Sequence, residues 1–304
     1  MRICGAAVIA CALALAADPS AERSRLYLTS AASALVEQGL ALAAPRSAAD
    51  FQEAPAPGVR FQPNQAQATT SPWVDSNLWR FQRGLKKANY TKLPAGSAPL
   101  AAAEAFAFRV DAILNPDPAD VAELGKVLAF LKAQDQPALP VMANIGVVDD
   151  RSATMGEVLN MLTRRNLLYR VVSAPGRGTD LTVQLGTPDF PKASAQNPAD
   201  FAARVRDKLG DAKRLVRLYG TNTTIAHLTG DDKRARLVLL SYSRNRTQPG
   251  VRVRVLGRYK PPKLAAYGTA EGALLTDIDD SGNAMEFSVP QFSTIAIIDL
   301  DAVK

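Results

Sequence analysis

Both tryptophans of the chain fall in one short segment, Ser71-Pro72-Trp73-Val74-Asp75-Ser76-Asn77-Leu78-Trp79-Arg80-Phe81. Asp75, Asn77 and Arg80 are interleaved with them. Aromatic faces stack on flat, partly apolar rings, while amide, carboxylate and guanidinium groups hydrogen-bond hydroxyls. In that reading Trp73 and Trp79 are stacking platforms, and Asn77 and Arg80 are polar contacts for a ligand such as a saccharide. The same residues have a plainer use, because tryptophan carries a large apolar area and plugs a core beside a loop. Both readings stand on the sequence.

Carboxylates are the next candidates. Hydrolysis of a glycosidic bond uses two carboxyl groups facing each other across the bond. Asp75 lies beside Trp73, and Glu104 lies in an alanine-rich stretch. Asp149 and its neighbour Asp150 follow an apolar strand, where open α/β sheets place their ligands. Asp75, Glu104 and Asp149 are therefore the candidate catalytic acids. No spacing pairs any two of them, and Asp149-Asp150 also suits a loop leading into a helix, where acids favour the positive end of the dipole.

Other chemistries are excluded by residue counts. The 304 residues include 2 Cys and 1 His. Both cysteines, Cys4 and Cys11, lie in residues 1–17, which read as a secretory leader: Arg2, an apolar run from Ile3 to Leu15, and Ala14-Leu15-Ala16 as a cleavage signal. Cys11 also ends a run, Val8-Ile9-Ala10-Cys11, that loosely fits a lipoprotein cleavage box. On the leader reading the mature chain has no thiol, which suits an oxidising compartment outside the cytoplasm and removes cysteine nucleophiles and thiolate metal sites. A lone His227 and no clustered ligands leave no metal site in the pattern. Gly176-Arg177-Gly178 lacks the third glycine of a phosphate loop, there is no G-x-S-x-G, and no cofactor is expected. His227 falls mid-strand, where it is either a structural residue or a general base.

These residues need elements to hold them. At roughly 100–200 residues per domain, the length suggests two domains. Residues 18–72 read as an N-terminal segment, partly helical over 22–44 and low in complexity over 45–72, where Ala, Pro, Gln, Ser and Thr dominate. Residues 73–211 read as an α/β domain. Leu100 to Val110 predicts a helix, Val110 to Leu114 a strand, and Asp117-Pro118 the start of a helix running to Leu131. Val141 to Val148, then Thr154 to Arg165 with Met155, Val158, Leu159 and Leu162 on one face, then Leu167 to Val172, predict a strand-helix-strand parallel crossover. A strand at Leu181 and a helix at Pro198 follow. From 212 to 304, eight short apolar segments separated by turn residues predict an antiparallel β-sandwich.

The unit over 141–172, with the strand at 181 and the helix at 198, resembles the flavodoxin-like class I glutamine amidotransferase-like layer found in some glycoside hydrolases, including β-galactosidases. The segments ARLVLLSYSRN, VRVRVLGRY and FSVPQFSTIAIIDL resemble the small C-terminal all-β domain of glycoside hydrolases. The resemblance covers about residues 140–304 and implies an α/β layer followed by a β-sandwich, associated with carbohydrate. It does not imply glutaminase activity, because that family's nucleophile is a cysteine and its base a histidine, and this chain offers only His227.

Charge bears on partners. The formal net charge is +7, and residues 204–263 hold sixteen Lys or Arg against four Asp. Such a stripe meets an anionic envelope polymer, or it is the solvated face of half-buried strands, as the alternation Val251-Arg252-Val253-Arg254-Val255 suggests. Export argues against nucleic acid as a partner, and no stretch outside the leader is apolar enough for a membrane span. The expectation is an exported, carbohydrate-associated protein resembling the accessory domains of glycoside hydrolases and without its own catalytic centre. The alternatives are a glycoside hydrolase using paired carboxylates and an envelope interaction module. The sequence does not set the saccharide or the oligomeric state.

Overall fold

A computed structural model describes residues 24–64, 69–176, 178–243 and 248–303. The leader with its two cysteines, Arg177, and Arg244 and Arg246 of the basic stripe lie outside the described residues. In chain order the first elements are β1 (Leu26–Leu28), α1 (Ser33–Glu37), β2 (Leu42–Ala43), β3 (Gln52–Glu53), β4 (Gly58–Asn64), β5 (Thr69–Asp75), α2 (Leu78–Gln82), β6 (Lys87–Tyr90), α3 (Ala98–Ala107), β7 (Asp111–Leu114) and α4 (Val121–Ala133). Parallel pairing gives a five-stranded sheet in the order β2-β1-β7-β6-β3, so the first strand lies beside the last. β4 and β5 form a separate antiparallel pair.

The 22–44 stretch, read as partly helical, has a 3-10 turn over Ser30–Ala32 and α1 over Ser33–Glu37, flanked by strands of the parallel sheet. One expectation changes here. The 45–72 stretch, read as low complexity, contributes β3, β4 and the start of β5. A two-residue strand carries no periodicity to detect. Pro63 and Pro72 are tolerated because each strand of a two-stranded ribbon has an edge that needs no ladder donor.

All ten residues of α3 are buried. A helix that is apolar all round packs on several sides at once. Its alanines let it approach β7 and α4 closely and seat it on the antiparallel sheet beyond. Its N-terminus is capped from a distance by Asp120, whose carboxylate accepts from the Gly96 and Ala98 N–H groups. Glu104 is the one charged residue on this helix.

Next come β8 (Ile145–Val148), α5 (Ala153–Arg164), β9 (Tyr169–Val172), β10 (Leu181–Val183) and α6 (Pro198–Leu209). The crossover expected over 141–172 is present, with β8 and β9 parallel, and β10 pairs parallel on the other side of β8. The strand is shorter than expected: Val141 makes only a bridge to Thr229. The predicted face of α5 (Met155, Val158, Leu159 and Leu162) is fully buried. Ser152 caps this helix, accepting from the Met155 N–H at 3.0 Å.

All eight C-terminal segments are strands: β11 (Val216–Tyr219), β12 (Thr224–Gly230), β13 (Arg234–Ser241), β14 (Val251–Leu256), β15 (Lys263–Ala266), β16 (Thr276–Asp279), β17 (Ala284–Val289) and β18 (Ile295–Asp301). They form two antiparallel sheets, β11-β14-β17-β16 and β12-β13-β18-β15, that share one core. Val253, Phe287 and Val289 of the first meet Leu237, Leu239 and Ile298 of the second. Alternate residues of the second sheet, among them Val238, Leu240 and Ile297, turn the other way into the core around α3.

The Val/Arg alternation in β14 does not make a freely solvated face. Arg254 is 8% exposed; it donates to the Arg214 carbonyl and Asn283 and lies 4.0 Å from Glu286. Arg206 and Arg214 pair with Asp211, and Arg236 pairs with Asp299. Part of the basic stripe is thus paired locally. Among the described residues, no helix is long and apolar enough to cross a membrane.

Candidate functional site

β5 delivers Trp73 and Asp75 to the start of the tryptophan segment, and α2 carries Trp79 and Arg80. Asn77 sits at the N-terminus of α2 and is buried; its amide donates to the Pro55 carbonyl at 2.8 Å and to Glu104 at 3.3 Å. Its carbonyl oxygen accepts from Arg80 at 3.2 Å. It therefore ties the loop before β4 to α2 and α3.

Glu104 lies directly beneath and has no exposed surface. Its carboxyl accepts from the Asn77 N–H at 3.1 Å and lies 3.3 Å from the Tyr90 hydroxyl. The Tyr242 hydroxyl, from the end of β13, is 2.5 Å from Glu104 and 2.9 Å from Ser76 Oγ. Burial raises the Glu104 pKa above its ordinary value, against the opposing pull of these donors. Burial also pushes the two tyrosines well up, helped by the neighbouring carboxylate. The cluster joins β6, α2, α3 and the antiparallel sheet through one satisfied polar network.

Asp75 and Asp149 have different surroundings. The β4–β5 register sets Arg60 opposite Trp73, and Arg60 grips Asp75 with both nitrogens, at 2.5 and 2.8 Å. Asp149 takes a two-pronged grip from Arg83 at 2.8 and 2.9 Å, and its side chain is 2% exposed. It also accepts the Arg151 N–H, and Asp150 accepts the Ser152 N–H, so this loop prepares the entry to α5. The Ser152 N–H and hydroxyl hold Asp150 below the usual carboxylate range. The structure brings Asn77, Arg80 and Glu104 together. It holds Asp75 and Asp149 in separate ion pairs.

Neither tryptophan is fully buried. The Arg164 guanidinium covers Trp73, with its centre 3.8 Å from the ring centroid. Trp79 packs one edge on Gly156 of α5, where a Cβ would come within 3.2 Å of the ring. Arg80 lies 4.3 Å from its centroid. Trp79 and Arg80 line an open cleft of ≈ 560 Å³ with Gln52, Glu53, Arg83 and Arg151. Glu53, at the end of β3, accepts from the Thr91 hydroxyl at 3.2 Å. Sequence reasoning missed Gln52, Glu53, Arg83 and Arg151. The first two sit in a strand too short for periodicity, and the two arginines matter only through their partners.

His227 lies in β12 as expected, but it is buried, with its ring stacked on Phe108 at 3.9 Å. Burial pushes its pKa down to about 3, so the imidazole is neutral at neutral pH. Among the described residues, no group of three or more His, Cys, Asp or Glu could hold a metal ion.

No protein-family model and no curated protein matches the chain. Among solved structures, α-L-fucosidase isoenzyme 2 from Paenibacillus thiaminolyticus superposes with a TM-score of 0.53 at 10% identity, over 69% of this chain and 57% of the fucosidase. The chain thus spans little more than half the length of that enzyme. A β-galactosidase from Rahnella sp. R3 covers 82% of this chain and 54% of its own at 11% identity, but its TM-score of 0.35 is too low to carry an argument. The chain therefore shares the fold of a glycoside hydrolase structure: a mixed α/β part with parallel sheets, followed by antiparallel sheets.

Proposed function

We propose that this is an exported carbohydrate-binding protein without its own hydrolytic centre, and that the sugar contact is the cleft beside Trp79. The observation that carries this reading is the partly buried Trp79 ring lining an open cleft, bordered by the planar polar groups of Gln52, Glu53, Arg83 and Arg151. A pyranose ring can stack on the indole while these groups meet its hydroxyls. The committed state of the acids supports the non-catalytic part. Asp75 and Asp149 are held by arginines, Glu104 is sealed in the core, and Glu53 is the acid lining the cleft, whereas glycoside hydrolysis uses a facing pair. The β9-β8-β10 order is compatible with the first three strands of a flavodoxin-like sheet, and two antiparallel sheets sharing a core are compatible with a β-sandwich; both support the accessory-domain reading.

The test is calorimetric binding to a polysaccharide panel, run beside a reducing-end assay, with Trp79→Ala and Glu53→Gln. The expected result is saturable binding that Trp79→Ala weakens by about tenfold, or about 1.4 kcal/mol, with no reducing ends released. Release abolished by Glu53→Gln would instead make the chain a hydrolase. Binding untouched by Trp79→Ala would remove the cleft from the proposal.

A further inference from the structure

A second cavity, of ≈ 350 Å³, shares no lining residue with the Trp79 cleft and lies where the end of α2, the C-terminal end of α3, β9 and the β12–β13 pair converge. Its size falls within the range of small-molecule sites. Its walls are aromatic, with Phe81, Phe106, Phe108 and Tyr169 contributing rings. Flat apolar walls select a flat apolar body.

Two polar side chains, His227 and Gln82, line it. His227, 4% exposed, lines the cavity, and among the described residues its ring nitrogens make no hydrogen bond; its one contact of note is the stack on Phe108. Gln82 lines the same cavity, and its side-chain oxygen is buried with no donor among the described residues. Leaving the buried Gln82 oxygen unpaired carries a desolvation cost, so a ligand that pairs it recovers that cost. The neutral imidazole offers one donor and one acceptor, while Gln82 needs a donor from the ligand.

The charge around the cavity has one sign. Lys86, Arg109, Arg170 and Arg236 line it, and no carboxylate does. Arg109 and Arg236 are partly spent on Asp135 and Asp299, whereas Arg170 donates, among the described residues, to the Gly178 carbonyl. Lys86 is exposed at the mouth.

We propose that this cavity binds a small hydroxylated aromatic acid, with the ring between the phenylalanines, the hydroxyl donating to Gln82, and the carboxylate directed to the Lys86–Arg170 side. The site is independent of the Trp79 cleft, so it stands or falls separately from the sugar reading.

The chain has one histidine, so in untagged protein the imidazole proton resonances report on this cavity alone. The experiment titrates the mature protein with 4-hydroxycinnamate, with its methyl ester and with 4-methoxycinnamate, following those resonances and the binding heat. 4-Hydroxycinnamate is expected to shift the His227 signals saturably. The uncharged ester and the donor-free ether should each bind at least about tenfold more weakly. Lys86→Glu changes an exposed residue and should weaken the acid about tenfold while leaving the ester unchanged. Gln82→Leu should remove the preference for the free hydroxyl. No saturable shift with any of the three probes at millimolar concentration overturns the proposal. Equal affinity for acid and ester, unaffected by Lys86→Glu, also overturns it.

Discussion

Acidification is expected to weaken the fold through one identifiable group, His227. Its imidazole is buried against Phe108, and burial holds its pKa at about 3 against an ordinary 6.5. The folded state therefore refuses a proton that the unfolded state accepts. A group with a depressed folded pKa contributes stability that is present above the unfolded value and lost as pH falls through the window down to the folded value. The gap between these values is worth about 5 kcal/mol at the acid limit. By about pH 5 the unfolded chain is largely protonated at this site, so the loss from about pH 8 to about pH 5 is about 2 kcal/mol. Urea unfolding at the two pH values measures it, with wild type beside His227→Phe and His227→Gln. Neither variant can take the proton, so each should lose about 2 kcal/mol less than wild type on acidification. The difference between pH values isolates titration from any packing change. A variant whose stability falls as steeply as wild type refutes the reasoning, as does a directly observed imidazole pKa near 6.5.

The other two predictions concern the carboxylates. Asp149→Ala leaves the Arg83 guanidinium, itself 15% exposed, without its two-pronged partner, and should cost about 3–5 kcal/mol in urea unfolding. A loss under about 1 kcal/mol would show the pair to be a surface bridge in effect. Glu104→Gln acts on a group whose folded pKa is raised by burial. That contribution is fully present below the unfolded pKa and lost as pH rises through the folded one. The variant should therefore gain on wild type as pH rises from acid toward neutral, whatever its absolute stability. Parallel pH profiles would mean that Glu104 is ionised at no cost in its network.

The parts legible in the sequence were those whose physics is local. The apolar face of α5 repeats with the helical period, and all four of its predicted residues are buried. Asp117 before Pro118 reads as a cap, and it does accept the Ala119 N–H at 2.9 Å. The C-terminal segments are short apolar runs punctuated by turn residues, so all eight could be placed. The strands of the parallel sheet were harder. β2 and β3 are two residues each, and they are defined by pairing with distant strands, not by any pattern of their own. β4 and β5 sit in a Pro- and Gln-rich stretch where composition argues against a strand, and only their mutual register makes them one.

The site followed the same division. The sequence by itself determined that cysteine chemistry is absent from the chain beyond residue 17, that the tryptophans cluster, and that acids lie near them. Tertiary structure alone decided what those acids can do. Arg60 reaches Asp75 through a hairpin register, Arg83 reaches Asp149 across 66 positions, and Tyr242 reaches Glu104 across 138. A carboxylate's reactivity depends on its solvent access and its nearest charges, and both are set by groups remote in sequence. Residue type can therefore nominate a site, but which side chains remain free to meet a ligand is fixed only when distant segments close around them.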